Sequence, residues 1–265
     1  MLFLTSLAIF LFCGAFAGIL AGLFGVGGGI VIVPLVSMVL VSQGVTPDHI
    51  MHIAIGTSLA SIMFTSISSF MSHHKRGAVL WSLVFTIAPG ILIGTLLGSY
   101  IASYLSPTFL KTFFAIFLLY VATQMLLNFK PKGERTLPKM IGTSLIGGLI
   151  GVVSSLVGIG GGTLSVPFML WCNIPMPKAV GTSAAIGFPI AVSGALGYVL
   201  TGLSVSDLPP YSFGYVYIPA LLGLVATSML TAPIGVKLAH SLPVPKLKKM
   251  FSILLYIMAI KMLFF

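Results

Sequence analysis

Two glycine-rich runs leave their backbone amides least screened by side chains: Gly25-Val26-Gly27-Gly28-Gly29 and Gly158-Ile159-Gly160-Gly161-Gly162, the second followed at once by Thr163. Without a Cβ, glycine backbone can approach a ligand closely. Each run leads into an apolar stretch ending in proline, Ile30 to Pro34 and Thr163 to Pro167. A helix starting at such a break presents unpaired N–H groups and the positive end of its dipole, a combination that attracts anions. Gly56-Thr57-Ser58 and Gly181-Thr182-Ser183 add hydroxyl donors without charge. The candidate substrate-binding residues are therefore Gly25, Gly27, Gly28, Gly29, Thr57, Ser58, Gly158, Gly160, Gly161, Gly162, Thr163, Thr182 and Ser183. A plainer reading stays open. Glycines also permit close helix packing, and Ser and Thr in apolar helices often bond their own backbone.

Other chemistries find little support. Asp48, Glu134 and Asp207 read as loop residues, which leaves no carboxylate in an apolar segment to relay protons or sodium. His49, His52, His73, His74 and His240 fall at or near expected loops, and no HExxH pattern occurs. Cys13 and Cys172 lie in apolar stretches without zinc or CxxC spacing. Gly-x-Gly-Gly-Gly superficially resembles a dinucleotide loop, but that fingerprint needs a strand before it and a βαβ unit around it. The expectation is a protein that is not an enzyme and carries no cofactor and no metal.

Composition says which elements must position these residues. Only 13 Lys/Arg and 3 Asp/Glu occur among 265 residues, 58% of the chain is apolar, and mean hydropathy is +1.16. A soluble chain of this size carries roughly a quarter charged residues. Such a sequence cannot cover a globule with polar surface, so the reading is an all-α polytopic membrane protein. The net charge of +10 sits in short loops, where it sets orientation rather than binding nucleic acid. Ala15-Phe16-Ala17 resembles a signal-peptidase site, yet the first Lys or Arg is Lys75, so no basic region precedes it and a signal peptide is not expected.

The chain is internally repeated. The glycine runs match at an offset of 133, with Gly14, Gly18 and Gly22 aligned to Gly147, Gly151 and Ser155. The Gly-Thr-Ser triplets match at 125, and Gly90, Gly94 and Gly98 align at 137 with Thr227, Thr231 and Gly235. Each half reads as a helix, a glycine break, a short apolar piece and three full spans. The expected segments are 2–24, 30–42, 50–71, 79–104 and 109–129, then 140–157, 163–173, 178–201, 213–239 and 247–265. The organisation expected is an N-terminal repeat 1–129, a cytoplasmic linker 130–139 and a C-terminal repeat 140–265. If the halves are inverted, each a glycine-broken partial-helix hairpin plus three spans, 11 of the 13 basic residues share one face. The positive-inside rule then puts both termini outside the cytoplasm of a bacterial inner membrane. Broken helices of opposed repeats form the midplane sites of many secondary transporters.

The paired Gly-Val/Ile-Gly-Gly-Gly breaks, each followed by an apolar run to proline and then by Gly-Thr-Ser, resemble the sulfite exporter (TauE/SafE) family of membrane permeases. The resemblance covers nearly the whole chain. It implies export of small anionic sulfur compounds, such as sulfite or organosulfonates like sulfoacetate, with the glycine and Gly-Thr-Ser positions above at the site. The partners implied are a small anionic solute and the lipid bilayer. A homo-oligomer stays open, as do an importer or channel for another small anion and a membrane scaffold that moves nothing.

Overall fold

The computed structural model describes residues 2–127, 136–241 and 244–264, without the side chains of 2–4, 244–248 and 250. The ten helices among them are α1 (Leu2–Phe24), α2 (Gly29–Ser42), α3 (Pro47–His74), α4 (Trp81–Ser103), α5 (Pro107–Leu126), α6 (Met140–Val157), α7 (Gly162–Trp171), α8 (Met176–Gly202), α9 (Ile218–Ser241) and α10 (Val244–Phe264). Seven helices among the described residues are long and apolar enough to cross a membrane. With 14 and 10 residues, α2 and α7 span only about 21 and 15 Å at ~1.5 Å per residue, short of a ~30 Å hydrocarbon core.

The helix order follows the sequence reading closely, with one correction. The span expected over 213–239 begins at Ile218, and a two-stranded hairpin, β1 (Ser212–Phe213) and β2 (Val216–Tyr217), stands before it. Pro209, Pro210 and the left-handed Tyr211 and Gly214 bend the chain out of helix there. Asp48 is also not in a loop; it occupies the first turn of α3, where a carboxylate complements the helix dipole. Glu134, with most of the expected linker, lies outside the described residues.

The principal helix pairings are unchanged when the two halves are exchanged. α1 packs on α9 as α6 packs on α4; α3 packs on α9 as α8 packs on α4; α2 packs on α3 as α7 on α8; and the α3–α8 and α5–α10 pairs map onto themselves. The matched interfaces differ in chemistry. Along α4 and α6, a Cβ on Gly90, Gly94 or Gly98 would collide with Ser144, Gly148 or Ser155, so the helices touch backbone to backbone. On α9 threonines replace two of those glycines. Thr227 and Thr231 donate across to the carbonyls of Leu11 and Ala15 on α1 at 2.7 and 2.8 Å. The register also survives changes of residue type: His73 bonds the Gly22 carbonyl through Nε2, and Tyr198, at the matched position on α8, donates to the Ser155 carbonyl, both at 3.0 Å.

Candidate functional site

The two glycine breaks touch each other at the centre of the protein. The Gly160 amide donates to the Val26 carbonyl at 3.1 Å, linking the loops directly. A Cβ on Gly29 would strike the Gly158 carbonyl, and one on Gly162 would strike the Gly25 carbonyl, so each short helix begins against the opposite break. Gly28 and Gly161, the residues capping α2 and α7, have φ of 82° and 77°. That left-handed backbone is cheap only for glycine. Residues 25–30 and 158–163 are all buried.

Within α2 the carbonyl of Gly28 accepts from Val31 and Ile32; within α7 that of Gly161 accepts from Leu164 and Ser165. Helix geometry orphans the first-turn amides ahead of these, those of Gly29, Ile30, Gly162 and Thr163. The Thr163 hydroxyl is itself buried and has no hydrogen-bond partner, and the residue is 6% exposed. Orphan donors and two helix N-termini therefore converge where backbone meets backbone.

The Gly-Thr-Ser triplets do three jobs, one per residue. The glycines admit incoming chain: a Cβ on Gly181 would collide with the Ala78 carbonyl, and one on Gly56 would meet the Tyr215 carbonyl at 2.5 Å. Thr182 and Thr57 accept from the amides of Leu80 and Tyr217, at 3.0 and 2.9 Å, just before α4 and α9 begin. The serines reach the breaks of the other half. Ser58 donates to the Gly158 carbonyl at 2.8 Å, and Ser183 donates to the Gly25 carbonyl at 3.3 Å while also bonding Val180.

All thirteen candidate residues thus lie in or against one central assembly; the hydroxyls of Thr57, Ser58, Thr182 and Ser183 have protein partners there, and that of Thr163 has none. Sequence reasoning missed the chain segments that plug the assembly from either side. Gly77 and Ala78 lead in from one side, and the 212–217 hairpin from the other, held by the Tyr215 amide on the Tyr198 carbonyl at 3.2 Å. The matched left-handed glycines Gly77 and Gly214, spaced 137 apart, were the available signal. His52 and His73 stand near loops, in the second and last turns of α3, yet both are buried, 4% and 1% exposed, each with an unpartnered Nδ1.

Comparison with known proteins agrees with this architecture. The model of the family described as "Sulfite exporter TauE/SafE" matches residues 10–262. A "Probable membrane transporter protein" of Haemophilus influenzae is 39% identical over 259 residues, covering 97% of this chain and 98% of the relative. Another from Methanocaldococcus jannaschii is 29% identical over 274 residues, covering 98% and 97%. A "Sulfite exporter TauE/SafE family protein 5" of Arabidopsis thaliana is 33% identical, over 33% of this chain and 19% of its own length. No solved structure matches the chain significantly. With its glycine breaks, multiple apolar helices and near full-length match, the chain is a multi-pass membrane protein that belongs to the sulfite exporter TauE/SafE family.

Proposed function

We propose that the protein exports small anionic sulfur compounds, sulfite or organosulfonates such as sulfoacetate, across a bacterial inner membrane without altering them chemically. The observation that carries this reading is the convergence of two helix N-termini on the contact between the glycine breaks. In a membrane interior, irregular backbone is tolerated only where it is buried in protein or lines a polar path. Neutral amide donors with positive dipole ends suit an oxyanion that must be released again. In this reading the amides of Gly27–Gly29 and Gly160–Gly162 and the Thr163 hydroxyl face the solute, with Gly25 and Gly158 shaping the breaks. Thr57, Ser58, Thr182 and Ser183 hold those breaks in place and exchange their partners when the site opens.

The two halves, 1–129 and 140–265 with the linker 130–139 between them, act as inverted repeats with both termini outside. The exchange symmetry of the principal helix pairings supports a repeat, and the gathering of 11 of the 13 basic residues on one face in the inverted arrangement supports that orientation. The test is flux of sulfite, sulfoacetate, taurine and sulfate into proteoliposomes holding the purified protein alone. Saturable flux of at least one sulfur anion is expected; none for any of them contradicts the reading.

A further inference from the structure

A narrow cleft runs beside α7 and ends at its N-terminus. Its volume is about 60 Å³, and Gly162 and Thr163 line its inner end. Leu170, Met176 and Gln124 line its other end, where α7 finishes, α8 begins and α5 approaches its last turn. From Thr163 to Leu170 the helix rises by about 10 Å, so the cleft joins the central assembly to the face where the connection 172–175 lies and α5 ends. Two polar groups stand out against apolar walls. One is the buried, unpartnered Thr163 hydroxyl. The other is the carboxamide of Gln124, half-buried on α5, which can present two N–H donors.

We propose that this cleft loads and holds the transported anion, with Gln124 as a direct contact near its mouth and Thr163 with the first-turn amides of α7 as the inner seat; this rests on the anion-export reading above. A water needs about 10–15 Å³ of such space, so the cleft has room for a compact oxyanion head. The two halves do not offer equal sites. The position matching Thr163 is Ile30 on α2, fully buried and without a side-chain donor, and the position matching Gln124 is Lys261, exposed on α10. The N-terminus of α7 therefore offers the anion a hydroxyl as well as amides, while its counterpart on α2 offers amides alone.

The test is uptake of radiolabelled sulfite into proteoliposomes by wild type, Gln124→Glu, Gln124→Ala, Thr163→Val, Thr163→Ser and Lys261→Gln, each first checked for a monodisperse elution profile. Gln124→Glu sets a carboxylate against the anion and is expected to raise KM at least tenfold. Gln124→Ala and Thr163→Val should each raise it about three- to tenfold, with Thr163→Ser, which keeps a hydroxyl, raising it less than Thr163→Val, and Lys261→Gln near wild type. Folded Gln124→Glu and Thr163→Val proteins with wild-type KM overturn the cleft while leaving the export reading intact. A wild-type protein inactive toward every sulfur anion overturns the export reading, and this assignment with it.

Discussion

Replacing Thr57 by valine separates two roles for the same hydroxyl. Thr57 is fully buried and accepts from the Tyr217 amide at 2.9 Å, at the entry to α9. Valine keeps the shape and removes the acceptor, which leaves a buried N–H without a partner. That costs about 1–3 kcal/mol, the desolvation penalty of an unsatisfied group. For a chain of this size each kcal/mol moves the melting midpoint by roughly 2–4 °C, so a loss of about 2–12 °C is expected in detergent. Thr57→Ser retains the acceptor and should recover most of that loss. The matched change Thr182→Val strips the Leu80 amide, bonded at 3.0 Å, and should behave alike. The assay is thermal unfolding of purified protein, followed by intrinsic fluorescence, with sulfite KM measured in parallel. Unchanged midpoints in both valine variants would show that the hydroxyls do not hold these amides, and a raised KM alongside them would make the hydroxyls direct anion ligands instead.

The matched interfaces of the two halves should respond differently to substitution. Gly94→Val would drive side-chain atoms into the Gly148 backbone and is expected to abolish a monodisperse fold; normal elution of that variant would contradict the packing described. Thr231→Val loses one bond to the Ala15 carbonyl and should cost only about 0.6–1.7 kcal/mol, the range for interhelical bonds in membranes; loss of folding would show a larger role. Orientation is tested with His74→Cys and Asp207→Cys in a background lacking Cys13 and Cys172. An impermeant thiol reagent added outside cells is expected to label 207 and spare 74, and the reverse pattern would sink the inverted-repeat orientation.

Much of the helix framework could be read from apolar run lengths, because a bilayer-crossing helix needs about 20 such residues and little else in this chain is polar. The breaks could be read too, since consecutive glycines have no use in a continuous helix. What hydropathy cannot distinguish is an apolar plug from the start of a helix. Tyr215, Val216 and Tyr217 look like span residues, and only Pro209-Pro210 and Gly214 hinted at the turn. The Gly-Thr-Ser triplets were visible as a pair, but their roles depend on what crosses from the other half, which no local pattern encodes. Gln124 went unnoticed because a lone amide near a helix end has no signature in sequence. Its interest comes from the cleft it lines.

In the proposed function, neutral donors at the glycine breaks carry an anion across the membrane, and the membrane potential alone drives it. A membrane potential of 100 mV is worth about 2.3 kcal/mol per elementary charge, or a roughly 50-fold gradient for a monovalent anion. The most direct measurement is radiolabelled sulfite uptake into proteoliposomes of the purified protein under a potassium–valinomycin potential at equal pH on both sides. Uptake should rise when the interior is made positive and fall when it is made negative. Uptake indifferent to potential, or accumulation driven by a proton or sodium gradient at zero potential, would contradict the account.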